Sequence, residues 1–241
     1  MQVTVAGLRG GVGTTSIVAM LADALSLIGE TVLLIDLNSS DLLRLYFNIP
    51  YADENGWALS EADGTGWQQH TYQVKENLYV LPYGRHGLAA MGARIDTPIS
   101  APAFLHDKGA IASTGCSWVI LDTGNMNGQH ANLHETSDLS ILVAHADMSS
   151  HILLGQHHLA EKTKIVVNQL DVKQRLSDAI LLDWNIRYAK HLVPVSVRQD
   201  LHVQEAFAHK MPATTYFPDS SSAQDLLSLA TWCLVQRGAP T

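Results

Sequence analysis

The chain has 241 residues, of which 46% are hydrophobic, and its 15 Lys and Arg stand against 23 Asp and Glu for a formal net charge of −8. This size predicts one α/β domain over residues 1–241 that buries roughly 75% of its unfolded surface. The negative charge argues against DNA as a partner, because non-specific DNA binding needs clustered cations that displace counterions from phosphate.

Apolar runs with strand character alternate with helical periodicity from the first residues onward. We predict strands over 3–7, 31–36, 78–84, 118–124, 139–146, 164–169 and 191–197. Residues 16–29 carry apolar side chains at helical spacing, and Gly29 supplies the stop. Strands that are apolar throughout are typical of parallel sheets covered on both faces. The predicted fold class is therefore α/β, a single doubly wound, mostly parallel sheet of about seven strands flanked by helices.

The features that bear on location predict a cytoplasmic protein. The longest apolar runs are too short to cross ~30 Å of hydrocarbon, and neither a basic segment nor a cleavage site precedes the first strand. The two cysteines, Cys116 and Cys233, predict no disulfide framework. The C-terminal stretch 223–238 has an apolar stripe with almost no positive charge, so we expect it to pack on the sheet rather than enter a bilayer.

The stretch LRGGVGTTS at residues 8–16 looks like a phosphate-binding loop. A P-loop reads G-x-x-x-x-G-K-[ST], and its backbone N–H groups bind the phosphates. Here Leu8 stands where the first glycine belongs, and Thr14 stands where the lysine belongs. The loop joins the first strand to the first helix, so its N–H groups and the helix dipole still predict an anion site.

Three further strands end in polar residues, namely Asp36, Asp122 and Asn168. The carboxyl ends of parallel strands meet at one edge of a sheet, where ligands bind in open α/β folds. Four strand ends therefore converge on one predicted nucleotide site.

The order of the glycine loop, D-x-N at 36–38, DTG at 122–124 and VVNQ at 166–169 resembles the MinD/ParA family of deviant Walker ATPases. The resemblance implies ATP and Mg²⁺ as cofactors. It implies nucleotide contacts from Arg9, Gly10, Gly11, Val12, Gly13, Thr14, Thr15, Ser16, Asn168, Arg198 and Asp200, although the family's customary proline beside the last two is missing. Thr15 is the implied hydroxyl ligand of Mg²⁺, and Asp36 and Asp122 are implied to hold the ion through its waters.

The same family places a signature lysine before the glycines, and Arg9 occupies that position here. In the family this cation reaches the nucleotide of the partner subunit. The resemblance therefore implies a homodimer with nucleotide sandwiched between two chains.

Hydrolysis is the activity that this sequence puts in doubt. The family reads D-x-D where this chain reads Asp36-Leu37-Asn38, and an amide cannot accept a proton from water. Asp41 is an alternative, displaced base. The stretch NQLD at 168–171 resembles a guanine reader with Asp171 as its acid, but its lysine is absent, so ATP is preferred and GTP stays a minor alternative.

Five motifs narrow the resemblance further: RGGVGTT, LLRLYFN, GW…W, LPYG and LATWCL. They resemble the BcsQ family, the MinD-like proteins of bacterial cellulose secretion operons. The resemblance implies an accessory or scaffold role, with small regulatory proteins of the cellulose operons and the inner-membrane cellulose synthase complex as partners. The alternative function is an active MinD/ParA-type ATPase that positions or partitions cargo.

Two smaller questions stay open in the sequence. His130 and His134 are spaced to share a helix face, but no metal-binding motif accompanies them, which favours solvated histidines. The segment 46–70 carries Tyr46, Phe47, Trp57 and Trp67 among turn-forming residues, and this pattern fits a small additional core and a protein-binding surface equally well.

Overall fold

Buried apolar strands assemble into a seven-stranded sheet in the computed structural model, which describes residues 1–63, 66–84, 102–106, 108–128 and 130–238. Its strands are β1 Gln2–Gly7, β2 Val32–Asp36, β3 Tyr72–Lys75, β4 Leu78–Leu81, β5 Trp118–Asn125, β6 Leu139–Ala144 and β7 Thr163–Val167. Their order across the sheet is β3-β4-β2-β5-β1-β6-β7. Among these described strands, only the pairing of β3 with β4 is antiparallel, so the predicted doubly wound, mostly parallel sheet is confirmed.

Three details of the strand prediction are wrong. Residues 191–197 form no strand, and their backbone pairs with its surroundings through isolated bridges, at Ile165–Leu192 and, just beyond the stretch, Leu170–Arg198. Pro194 interrupts the run and has no N–H to donate to a ladder. The seventh strand is instead β3, a short edge strand that the prediction omitted. The predicted strand over 78–84 ends earlier, at Leu81, directly before Pro82.

Helices cover both faces of the sheet. They are α1 Thr14–Leu27, α2 Trp57–Asp63, α3 Lys108–Ala112, α4 Leu133–Thr136, α5 Met148–Leu154, α6 Arg175–Arg187, α7 His202–Ala208, α8 Ala213–Tyr216 and α9 Ser221–Gly238, with 3₁₀ turns at Leu43–Phe47, Trp67–His70 and Ala103–His106. The first helix begins two residues before its predicted start, and Gly29 follows it with a φ of +90°.

The C-terminal helix α9 packs inward, in the same hydrophobic cluster as α1 and the sheet. Leu226, Leu229 and Cys233 on this helix are fully buried there. Arg237 pairs with Glu30 near the end of α1 and lies over the ring of Trp118, 5.0 Å from its centroid. Among the helices that the structure describes, none is long and apolar enough to cross a membrane.

Three aromatic residues of segment 46–70, Tyr46, Trp57 and Trp67, belong to the hydrophobic core, and Phe47 packs against it. Tyr46 and Trp67 are 7% exposed and Trp57 is fully buried. Trp57 packs edge-on against Tyr83 with 4.8 Å between ring centroids, and Trp67 stacks on Phe104 at the same separation. The interpretation as an additional core is therefore the one that the structure supports.

A contact between two glycines joins the GW and LPYG motifs. A Cβ on Gly56 would lie 2.3 Å from the backbone nitrogen of Gly84. The close approach allows the N–H groups of Trp57 and Ala58 to bond to the carbonyls of Pro82 and Tyr83 at 3.1 and 2.9 Å. The two motifs thus form one structural unit beside the end of β2.

Gly56→Ala should destabilise the protein by about 1–3 kcal/mol, because the added methyl group meets backbone that cannot move aside freely. Urea unfolding measures the effect. Gly155→Ala is the matched control, since its new Cβ would be 3.5 Å from the nearest atom, an ordinary contact. Equal unfolding free energies for the two variants would contradict the glycine contact.

Candidate functional site

The glycine loop lies between β1 and α1 at the carboxyl edge of the sheet. Gly11 and Gly13 adopt φ angles of +79° and +83°, which favour glycine. Gly7 leaves room for the loop to fold back, since a Cβ there would lie 2.5 Å from Thr14 Oγ1. Helix α1 has Gly13 as its N-cap and no side-chain cap. Its first N–H groups therefore have no capping side chain, which suits an anion.

The departures from the P-loop pattern have a structural explanation at Leu8. This side chain is 1% exposed and packs in a hydrophobic cluster with Leu142 and Ile165, while its N–H donates to Val143 O at 2.8 Å. Thr14 is also buried, and its hydroxyl packs over Gly7, in the space that a side chain at position 7 would fill. Neither residue offers a positive charge to a phosphate.

A cavity of about 520 Å³ opens between the glycine loop and the ends of β2 and β5. The loop residues Arg9, Gly10, Gly11, Gly13, Thr14, Thr15 and Ser16 line one side. Asn38, Tyr83, Thr123 and Gly124 are among the residues on the other. We refer to this space as the phosphate cavity.

Two buried carboxylates lie side by side at the strand ends behind this cavity. Asp36 and Asp122 are register partners on β2 and β5, and both are 0% exposed. Asp36 accepts hydrogen bonds from the N–H groups of Asn38 and Leu43 at 2.9 and 3.3 Å. Asp122 Oδ1 accepts one from Gly124 N at 2.9 Å, whereas its Oδ2 has no hydrogen-bond partner among the described residues.

The pKa values of both carboxylates are raised. Burial, and then the neighbouring charges of Asp122 and Asp41, raise the pKa of Asp36 well above its usual range. Burial raises the pKa of Asp122 to about 6, although the Thr15 side chain and the Gly124 N–H oppose this shift. Among the described residues, no cationic side chain offsets either shift, so a bound cation would relieve the pair.

The predicted cation ligands Thr15, Asp36 and Asp122 thus come together. The orphaned Asp122 Oδ2 is a buried oxygen of the kind that Mg²⁺ prefers. Within the described ranges, no group of three or more His, Cys, Asp or Glu side chains could hold a metal. Two carboxylates and one hydroxyl suit Mg²⁺, which usually keeps several waters and binds through few protein ligands.

Asn38 and Asp41, the two positions considered for a catalytic base, differ in whether they reach the phosphate cavity. Asn38 lines the phosphate cavity and lies against Gly124, and its Oδ1 accepts a hydrogen bond from Ser40 N at 3.1 Å. Asp41 is fully buried in an ion pair with Arg44 Nε at 2.9 Å, and its Oδ1 accepts from Tyr83 N. The alternative of Asp41 as a displaced base is therefore wrong, because its carboxylate is occupied and shielded.

A second cavity of about 410 Å³ begins where the phosphate cavity ends, and Ser16 lines both. The predicted base contacts Asn168, Arg198 and Asp200 line it. Asn168 Nδ2 donates to Val12 O at 2.8 Å, so this side chain also ties β7 to the glycine loop. We refer to this space as the base cavity.

The two charged residues of the base cavity already have protein partners. Arg198 binds the carboxylate of Asp225 at 2.7 Å. Asp200 accepts hydrogen bonds from the N–H groups of Ser222 and His202, each at 3.0 Å. Burial alone would raise the pKa of Asp200, but these bonds lower it to about 2. Asp171 lines a separate, smaller pocket.

Arg9 extends beside the phosphate cavity and is held within its own chain. Its guanidinium donates to Asp147 Oδ2 at 2.5 Å, and the Arg9 side chain stays 32% exposed. Asp147 is also the N-cap of α5, where Oδ1 accepts from Ser150 N at 2.7 Å. Arg9 is thus neither buried nor freely solvated, and its contact with a partner subunit stays a prediction.

The two histidines do not share a helix face. His130 precedes α4 and is 4% exposed, while His134 lies within that helix. The imidazole of His134 contacts Ser140 Oγ at 2.7 Å and Thr123 Oγ1 at 3.3 Å. Burial lowers the pKa of His134 to about 4, which makes it a neutral packing residue rather than a solvated one.

Sequence reasoning missed two residues that line these cavities and one that binds Arg9 beside them. Tyr83 lines the phosphate cavity and Tyr46 lines the base cavity, and neither was assigned a role in nucleotide binding from the sequence. Asp147, the partner of Arg9, follows β6 in a D-x-x-S pattern that is typical of a helix N-cap and would have identified it.

Comparisons with solved structures agree with this fold. A chain of the MinC:MinD cell division protein complex of Aquifex aeolicus superposes with a TM-score of 0.78 at 16% identity, over 100% of this chain and 97% of that one. The septum site-determining protein MinD of Pyrococcus horikoshii, complexed with Mg-ADP, gives 0.69 at 20% identity over all of both chains. A ParA family ATPase of Chlorobium tepidum gives 0.72 at 18% identity, over 95% of this chain and 98% of that one.

Sequence comparisons identify the family of this chain as well as its fold. The family described as cellulose biosynthesis protein BcsQ matches residues 1–234. BcsQ of Salmonella typhimurium is 34% identical over 95% of this chain and 92% of its own length, and BcsQ of Escherichia coli K12 is 31% identical over the same shares. The chain therefore belongs to the BcsQ family of cellulose biosynthesis proteins, on the fold of the MinD and ParA ATPases.

Proposed function

We propose that this chain binds ATP with Mg²⁺ in the two cavities and acts as a nucleotide-dependent dimeric accessory protein of the bacterial cellulose synthase complex. One observation carries the proposal: the buried pair of Asp36 and Asp122 lies beside the uncapped start of α1. Two buried carboxylates without a counterion are unfavourable in an empty fold, but they suit a bound cation. The helix N-terminus beside them suits the anionic phosphate chain that such a cation accompanies.

The residues in and beside the phosphate cavity indicate which groups would hold Mg²⁺ and the phosphates of ATP. Thr15 would ligate Mg²⁺ and the two carboxylates would bind its waters, while the loop N–H groups and α1 would hold the phosphates. Losing the P-loop lysine at position 14 removes a charge-assisted contact of about 1.5–3 kcal/mol, or roughly ten- to a hundredfold in affinity. Binding is weakened by this change but keeps its other contributions.

The base cavity favours adenine over guanine. A guanine reader needs a free carboxylate facing the base, and Asp171 lines a different pocket. Asp200 does line the base cavity, but both of its oxygens accept hydrogen bonds from His202 or Ser222. The described lining of this cavity therefore supplies no free carboxylate for guanine, which supports ATP.

The chain itself supplies little for hydrolysis. Asn38 can hold a water at the cavity but cannot take its proton, and Thr14 brings no charge to stabilise a transferring phosphoryl group. We therefore propose that bound nucleotide has a structural role and is hydrolysed slowly or not at all. The active cargo-positioning ATPase is the outcome that would replace this proposal.

The partners are proposed from the family. In this view small regulatory proteins of the cellulose operons and the inner-membrane synthase complex recruit a cytoplasmic dimer, without direct membrane insertion and without DNA. The net charge of −8 and the inward packing of α9 support this view.

Arg9→Ala should weaken dimer formation with Mg-ATP at least tenfold, because the guanidinium would no longer reach the partner's phosphates. Light scattering across a concentration series measures the equilibrium. The matched control is Arg187→Ala, which removes an exposed cation on α6 that pairs with Asp183 on its own helix. A wild-type chain that stays monomeric with Mg-ATP, or an Arg9→Ala dimer as tight as wild type, would overturn the sandwich.

Asp122→Asn should stabilise the metal-free protein by about 1–2 kcal/mol at pH 7, because it removes a buried charge that costs folding energy. Burial raises the pKa of the Asp122 carboxyl from its ordinary value of 3.8 to about 6 in the folded protein, so the folded state keeps the proton to a higher pH than the unfolded chain does. Wild-type stability should therefore fall as the pH rises between these values, and the variant should lose that part of the slope.

Urea unfolding in a chelator across pH 4–8 tests this expectation. The matched exchange Asp200→Asn should have the opposite sign, since hydrogen bonds outweigh burial and lower the pKa of that carboxyl to about 2 in the folded protein. A destabilising effect of both exchanges would show that Asp122 is an ordinary structural carboxylate.

The double variant Thr14→Lys with Asn38→Asp should hydrolyse Mg-ATP at least a hundredfold faster than wild type, since a general base alone typically contributes about 10²–10⁴-fold. Phosphate release at saturating nucleotide measures the rate. Asn127→Asp, at an exposed turn outside the cavity lining, is the control for added negative charge. Wild-type turnover as fast as that of the double variant would favour the active ATPase.

A further inference from the structure

The LLRLYFN motif brings a tyrosine to the junction of the two cavities. Its 3₁₀ turn, Leu43–Phe47, follows β2 and packs against α1 and α7. Arg44 secures the turn: its side chain is fully buried, pairs with Asp41 and donates to the carbonyls of Pro50 and Asn55 at 3.2 and 2.7 Å. Tyr46 is therefore carried on a well-braced segment.

The phenol of Tyr46 meets the first turn of α1. Its hydroxyl lies 2.7 Å from Ser16 Oγ. Ser16 lines both the phosphate cavity and the base cavity, and Tyr46 lines the base cavity. A nucleotide that places phosphates in one cavity and its base in the other must pass its sugar and first phosphate along this pair.

One O–H of the Ser16–Tyr46 pair remains available to donate a hydrogen bond to a ligand. A hydroxyl pair uses one O–H for the bond between its members and leaves the other O–H for an acceptor. In the part of the chain that the structure describes, the two hydroxyls bond to each other, and no further protein acceptor takes the second O–H. Burial raises the pKa of Tyr46, so the phenol remains protonated and able to donate at neutral pH.

The ring of Tyr46 also shapes the base cavity. It packs against Phe207 with 4.7 Å between ring centroids, and both rings line the cavity wall. The residue thus combines an apolar face towards the base cavity with a polar group at the junction, whereas a purely structural aromatic residue would need only the first.

We infer that Tyr46 is a nucleotide-binding residue, whose hydroxyl acts with Ser16 on the ribose and first phosphate. The inference rests on the proposed function and adds to it a contact common to adenosine mono-, di- and triphosphates. It also assigns a role to the LLRLYFN motif, which positions this phenol while its Asp41–Arg44 pair braces the turn.

Calorimetric titration with AMP, ADP and ATP in the presence of Mg²⁺ tests the inference. Tyr46→Phe keeps the ring and should weaken all three by about the same factor, near tenfold, since one hydrogen bond to a charged group is lost. Ser16→Ala should do likewise, and the double variant should be little worse than either single one because the hydroxyls act as a pair.

Tyr72→Phe is the matched control. It removes a hydroxyl that bonds to Asp53 Oδ2 at 2.5 Å, outside the lining of both cavities, and should leave all three affinities unchanged. Wild-type binding with unchanged affinity in Tyr46→Phe would overturn this inference alone. A wild-type chain that binds none of the three nucleotides would overturn the proposed function and the inference with it.

Discussion

The buried contact between Asp36 and Asp122 is the constraint on which the rest of this site depends. Parallel pairing of β2 with β5 places the two carboxylates in register, and the apolar strands around them exclude water. Both pKa values rise in response. Such an arrangement lowers the stability of the empty protein, and a fold that only needed to be stable would be better served by neutral residues there. A cation bound together with phosphates would neutralise the two carboxylates and remove this unfavourable term.

The family motifs make structural sense around this pair. The indole of Trp57 donates to Asp36 O at 2.7 Å, and the Gly56–Gly84 contact holds Trp57 against the LPYG turn. Asp41, from the adjoining loop, accepts a hydrogen bond from Tyr83 N in that turn. Motifs that lie far apart in the sequence therefore form a single scaffold behind one carboxylate. At the front of the cavity, Thr14 supplies no positive charge and Asn38 accepts no proton, while this scaffold remains behind them.

Much of this arrangement could be predicted from the sequence because parallel sheets carry strong signals. Fully apolar runs located β2 and β5, and the rule that strand ends converge brought the glycine loop, Asp36, Asp122 and Asn168 to one edge. The failures have equally local causes. The polar edge strand β3, with the sequence YQVK, lacks the apolar signal, and Pro194 lies within a run that otherwise resembles a strand. Tyr46 and Asp147 gain their roles from contacts with Ser16 and Arg9, which lie 30 and 138 residues away along the chain.

The central claim is that the altered loop still binds nucleotide through its backbone and a cation, and a titration of Thr15→Ala with ATP tests it most directly. Wild type should show saturable binding that disappears in a chelator, and the variant should bind at least tenfold more weakly because Mg²⁺ loses its hydroxyl ligand. Thr231→Ala, which removes an exposed hydroxyl on α9, should bind like wild type. Saturable binding of the same strength in Thr15→Ala, or no binding by wild type at millimolar Mg-ATP, would contradict the account.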